Sequence, residues 1–171
     1  AMKAGNRAAA LWLAAYHDNF GIGPNDLSKA AKAYFYAMAL GDDKAINRLT
    51  EIAELGVAEA EYWLGRAFLR KDRTIENAQT ALTWLERAAE QEHAEALTEG
   101  AIIFRAGLSG EVNDKKAARY FARAVKAGSD IAKLFLGRLY EDGLGVPRDG
   151  AQAMVLYQDA AEKGIASAQY R

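Results

Sequence analysis

Apolar and polar positions recur along this chain with a helical period, most clearly between Ala132 and Gly164. Ala132, Leu136 and Tyr140 share one face, and Ala153, Tyr157 and Ala160 share another, each set spaced by three or four residues. Between them lie Gly143, Gly145 and Pro147, which neither helix could carry in its interior. Gly164 stands where a helix needs a left-handed residue to stop. The stretch predicts a helical hairpin, with small alanines for close approach and Leu136, Tyr140 and Tyr157 filling the space between the helices.

One hairpin cannot bury its own apolar face, so a stack is expected. Gly128 to Gly164, Ala124 to Ala160 and Tyr120 to Leu156 are each 36 residues apart. Trp84 to Tyr120, Leu85 to Phe121 and Ala88 to Ala124 repeat that spacing one unit earlier. Leu64-Gly65-Arg66-Ala67-Phe68 parallels Leu136-Gly137-Arg138-Leu139-Tyr140, with Gly100 between them. The repeats are read as an irregular 4–56, then 57–92, 93–128 and 129–164, with 165–171 opening a further repeat or cap. The chain thus reads as part of a longer array.

Helices are predicted near 4–19, 27–40, 44–55, 58–71, 75–91, 93–107, 113–127, 129–142, 149–163 and from 165 onward. The segment before residue 57 breaks the alternation. Lys44 to Gly56 fits a second helix, yet no first helix is left to precede it. Either 27–40 is second helix to one hairpin and first helix to the next, or a helix has been lost. The tight Gly41-Asp42-Asp43 turn favours a 27–55 hairpin with helix 4–19 packed before it. Connections at 72–76 and 107–112 depart from the glycine-pair pattern, which a stack packed through its helices should tolerate.

Composition changes this picture little. Two prolines and abundant alanine suit an all-α protein. A formal net charge of −1 removes the electrostatic case for nucleic acid. With no cysteine there is no disulfide framework, thiolate metal site or cysteine nucleophile. No uncharged run is long enough for a membrane span. Lys3 and Arg7 before Ala8–Ala15 have the layout of a signal peptide, but the apolar run is short and merges into the first helix.

The Leu-Gly-x-x-Tyr of the first helix, Gly143-x-Gly145-Val146, Asp149 and the Ala-Ala-x-x-Gly ending resemble the Sel1-like repeat family, relatives of the tetratricopeptide repeats. The resemblance implies an all-α, right-handed α-solenoid that binds other proteins, and no reaction. Bacterial members are commonly periplasmic or secreted adaptors, so a periplasmic location is favoured over a cytoplasmic one. The loops at 72–76 and 107–112 and the 41–43 turn look similar to the repeats of an alginate-secretion scaffold, which implies an envelope or exopolysaccharide-secretion role. Two alternatives stand beside it. One is a hydrolase or β-lactam-binding protein, whose Sel1-like examples are disulfide-rich. The other is an immunity-type binder that neutralises a toxin.

No catalytic constellation emerges, and no catalytic, cofactor-binding or metal-ligating residue is assigned. His17 and His93 lack a partner at helical metal-pair spacing and are read as surface or capping residues. Gly107-Leu108-Ser109-Gly110 is not a nucleophile elbow. What remains is recognition of a protein partner of unknown identity. By resemblance, first helices line the concave face. The position before the Leu-Gly pair holds Trp63, Thr98 and Phe135, and three residues on come Arg66, Ala101 and Arg138. Trp63, Arg66, Phe135 and Arg138 are the expected groove residues, since aromatics and arginine dominate binding hot spots. The competing reading is that Trp63 and Phe135 widen the inter-repeat core while the arginines are solvated.

Overall fold

A computed structural model describes residues 2–20, 24–71 and 74–164. Among them run nine helices and no strand: α1 (Met2–Phe20), α2 (Pro24–Ala39), α3 (Ala45–Glu54), α4 (Ala58–Lys71), α5 (Ile75–Glu90), α6 (Ala94–Ala106), α7 (Asp114–Lys126), α8 (Asp130–Asp142) and α9 (Gly150–Glu162). They form a right-handed α-solenoid. The expected helix from 165 onward, and the expected likeness of Gly21-Ile22 to Gly145-Val146, fall outside the described residues.

From α4 on, helices pair as α4/α5, α6/α7 and α8/α9, and each second helix packs on the next first helix. Side-chain caps set the starts. Thr74, His93, Asn113, Ser129 and Asp149 each accept a hydrogen bond from the backbone amide three residues on, satisfying an amide that the first turn leaves free. The turns after second helices recur every 36 residues at 56, 92, 128 and 164, all left-handed. Three are glycines. The fourth is Glu92, at φ 56°, a conformation that side chains disfavour. Its carboxylate accepts a hydrogen bond from Arg123 Nη2 at 2.8 Å, which helps hold the turn.

Two arginines staple second helices to their predecessors. Arg87 donates to the Ala53 carbonyl and Arg123 to the Ala89 carbonyl, both 34 residues back at the end of the preceding second helix. A cation there also meets the negative end of the helix dipole. Loops contribute as well, contrary to the expectation that units meet only through helices. Gly145 lies so close to the first turn of α7 that a Cβ on it would fall 2.1 Å from the Asp114 carbonyl oxygen. In the unit before, Gln79 of α5 donates to the Ser109 carbonyl in the 107–112 connection.

The irregular start resolves into a shared helix. α2 is the antiparallel partner of α1, yet it also packs on α3 and on α4. It is therefore second helix to one hairpin and first helix to the next, and the 27–55 hairpin is only half of its role. A polar knot fixes the arrangement. Asp18 of α1 accepts two hydrogen bonds from Arg48 of α3, both 2.7 Å, and one from the Tyr34 hydroxyl of α2 at 2.9 Å. The Asp18 side chain is 6% exposed, and the Arg48 hydrogen bonds hold its carboxyl below the usual aspartate range against the opposing effect of burial.

Candidate partner-binding groove

The spacing of α4 places Glu59, Tyr62, Trp63 and Arg66 on one stripe. α6 supplies Glu95, Thr98, Glu99 and Ile102 in the same way, and α8 supplies Ile131, Phe135 and Arg138. Close helix packing sets how these stripes stand. A Cβ on Gly65 would lie 2.9 Å from Leu85 Cγ, and one on Gly137 would lie 2.7 Å from Tyr157 Cε1. Each first helix is thereby seated directly on its second helix.

The four expected groove residues divide. Trp63 is 6% exposed and belongs to the core, so the reading of it as an open groove residue is corrected. The shared helix α2 brings Phe35 to 4.6 Å and Tyr36 to 5.9 Å between ring centroids, while Tyr62 closes in at 4.9 Å. The indole N–H donates to Glu59 at 2.6 Å. Arg66 lies 5.2 Å over the Trp63 ring and pairs with Glu99 of α6 at 3.1 Å, so it is not simply solvated. At the equivalent position Thr98 is also buried, its hydroxyl bonded to the Ala94 carbonyl and to Ser129, and Ala101 is fully buried.

Phe135 differs. It is half-buried, stacked on Phe121 at 5.2 Å and 12°, with the Arg138 guanidinium 6.0 Å over its ring. The Arg138 Nε atom is buried without a hydrogen-bond partner. Phe135 lines a groove of about 330 Å³ with Ile131, Ser129, Thr98, Ile102, Glu95, Glu99 and Tyr62, which crosses α6 from α4 to α8. Ile131 is 46% exposed there.

Sequence reasoning missed Tyr62, Glu99, Ile102 and Ile131. One signal was legible: Glu99-Gly100 stands where the other units have Leu64-Gly65 and Leu136-Gly137. A carboxylate at a leucine position of a packed repeat points to a role other than packing. Burial raises the Glu99 carboxyl above the ordinary glutamate range, with Arg66 opposing, and burial also pushes the Tyr62 hydroxyl up to about 12.

His93 ties α4 to α6. Its Nδ1 accepts from the Ala96 amide as the cap of α6, so the proton sits on Nε2, which donates to Glu59 at 3.1 Å. Its ring stacks on Tyr62 at 4.9 Å. The hydrogen bond from His93, joined by that of the Trp63 indole and opposed by burial, holds the Glu59 carboxyl below its usual range. His17 lies 3.5 Å from Asp26 across the first hairpin. Among the described residues no group of three or more potential metal ligands occurs, and no helix is long and apolar enough to cross a membrane.

Against known proteins, the Sel1 repeat family matches residues 58–93, 95–129 and 131–165. DAP3-binding cell death enhancer 1 of Rattus norvegicus is 33% identical over 93 residues, 54% of this chain and 18% of the rat protein. A Sel1 repeat protein from Oxalobacter formigenes superposes with a TM-score of 0.72 at 30% identity, over 86% of this chain and 61% of its own. The protective antigen c5321 of uropathogenic Escherichia coli, described as displaying an SLR fold, gives 0.74 at 23% identity, over 98% of this chain and 40% of its own. The chain thus spans under two thirds of the length of each of the three.

Proposed function

The chain belongs to the Sel1 repeat family, whose members are generally protein-interaction scaffolds, and we propose that it is a non-enzymatic adaptor holding a partner protein against its first-helix face. The observation that carries this reading is the groove across α4, α6 and α8. It gathers the Tyr62 ring, Ile102, Ile131 and Phe135 into one open apolar lining, the kind of surface that marks a binding site. Three successive first helices contribute, so a partner segment laid across them meets each in turn. The setting we carry forward is a bacterial envelope or exopolysaccharide-secretion complex, from the resemblance of the loops. The hydrolase and immunity-type alternatives have no specific observation in their favour.

The test is site-specific photocrosslinking in cells that naturally make the protein. A benzophenone amino acid at position 131 should yield a defined adduct. The same group at Arg119, exposed on the second-helix side, should not. Equal adducts from both positions, or none from 131, would overturn the groove reading.

A further inference from the structure

We propose that the groove selects a partner segment in which a large apolar side chain is flanked by a lysine or arginine. The inference rests on the reading of this groove as the binding surface. Its floor is apolar, formed by the Tyr62 ring, Ile102, Ile131 and Phe135. Its polar lining is unequal. Thr98 and Ser129 bond to each other, and Ser129 also caps α8, so their hydroxyls are already engaged. Among the described residues the charged lining of the groove is two carboxylates, Glu95 and Glu99, with Arg66 already paired to Glu99.

Both carboxylates keep capacity for a donor. Glu95 is two-thirds exposed, and the nearest cationic candidate is His93 Nδ1 at 3.5 Å. That nitrogen accepts from the Ala96 amide and carries no proton to give. Glu99 meets Arg66 and the Tyr62 hydroxyl at Oε1, and a carboxylate can accept more than these two donors. An apolar segment seated on this floor would strip water from these oxygens. A cation beside it compensates, and an acidic neighbour would be repelled. Glu99 replaces the leucine of the other units at the point where this charge is delivered.

The experiment is selection of a random twelve-residue phage-displayed library on the whole chain. The winners are then re-bound as labelled synthetic peptides to the wild type and to Glu95→Gln, Glu95→Gln/Glu99→Gln and Ile131→Asp. Winners should pair Leu, Ile or Phe with Lys or Arg. The exposed Glu95→Gln should weaken them by about two- to fivefold, the scale of a solvent-exposed ion pair. The double variant should weaken them further and Ile131→Asp should abolish binding, all with unchanged circular dichroism. Winners that are lost with Ile131→Asp yet are neutral or acidic, or are indifferent to Glu95→Gln, would overturn the basic preference and leave the groove reading standing. Winners indifferent to Ile131→Asp, or no enrichment at all, would overturn both.

Discussion

Trp63–Arg66 and Phe135–Arg138 sit at the same register of first helices two units apart, each an arginine over an aromatic ring three residues earlier. They end up in different environments. Trp63 is walled in by Phe35 and Tyr36 from α2, by Tyr62 from its own helix, and by Arg66, which reaches on to Glu99. Phe135 is stacked on Phe121 and covered by Arg138, and part of its surface stays open to the groove. Register thus sets which way a side chain leaves its helix. Whether it meets protein or water depends on how many helices converge there, and α2, shared between two hairpins, supplies the extra one beside Trp63.

The largest break in that comparison should come from Trp63→Ala. Removing a buried indole leaves a cavity among α2 and α4 and should destabilise by about 3–5 kcal/mol. A denaturant melt within about 1 kcal/mol of wild type would contradict the core assignment. Gly65→Leu and Gly137→Leu should each force first and second helices apart, at about 1–3 kcal/mol or more. Both pairs depend on this seating. A thermal melt of either variant at wild-type stability would reject it.

Acid should act most on the Trp63 side, because α2 is held by the Asp18–Arg48–Tyr34 knot. Asp18 titrates lower in the folded chain than its unfolded value of about 3.9. Its contribution is therefore complete above that value and is lost as pH falls through the lower folded one. Burial gives Glu99 the reverse sign: its ionised form is penalised in the fold, so protonation relieves the α4–α6 seam. Asp18→Asn should weaken α1–α3 by about 2 kcal/mol at neutral pH and remove this acid limb. Hydrogen exchange resolved by segment distinguishes the two halves, and uniform loss across α1–α9 would refute the local effect. Phe135→Ala should be mildest, about 1–2 kcal/mol, since only part of the ring leaves water. A loss equal to that of Trp63→Ala would erase the distinction.

How much of this could be read from the chain follows from where each cause resides. The 36-residue period carried α4 to α9 to within a residue or so of their ends, because caps, turn glycines and alanine contacts are local and repeated. The double use of α2 could not be chosen over the lost-helix alternative. First and second helices share one apolar period, and only tertiary packing assigns the role. Trp63 was placed on the correct stripe, but its burial depends on Phe35 and Tyr36, some 28 residues earlier. Glu99 was visible as a departure from Leu-Gly. Its pairing with Arg66 depends on the stagger between α4 and α6, which spacing along the chain does not reveal.

The guanidinium staples end before the stack does. Arg87 fastens α5 to the end of α3 and Arg123 fastens α7 to the end of α5, but 36 residues on the same position is Asp159, which cannot donate. In a one-dimensional array each repeat contacts only its neighbours, so each seam contributes its own interface stability. Among the described helices the seam between α7 and the α8/α9 pair is then expected to yield most, and the groove straddles it, with Glu95 and Glu99 on one bank and Ile131 and Phe135 on the other. On this account the α8/α9 side of the groove is the jaw expected to give first. Under a pulling force applied at its ends, the first rip should release α8 and α9 together. Asp159→Arg should raise the force of that rip while leaving the later ones where they were.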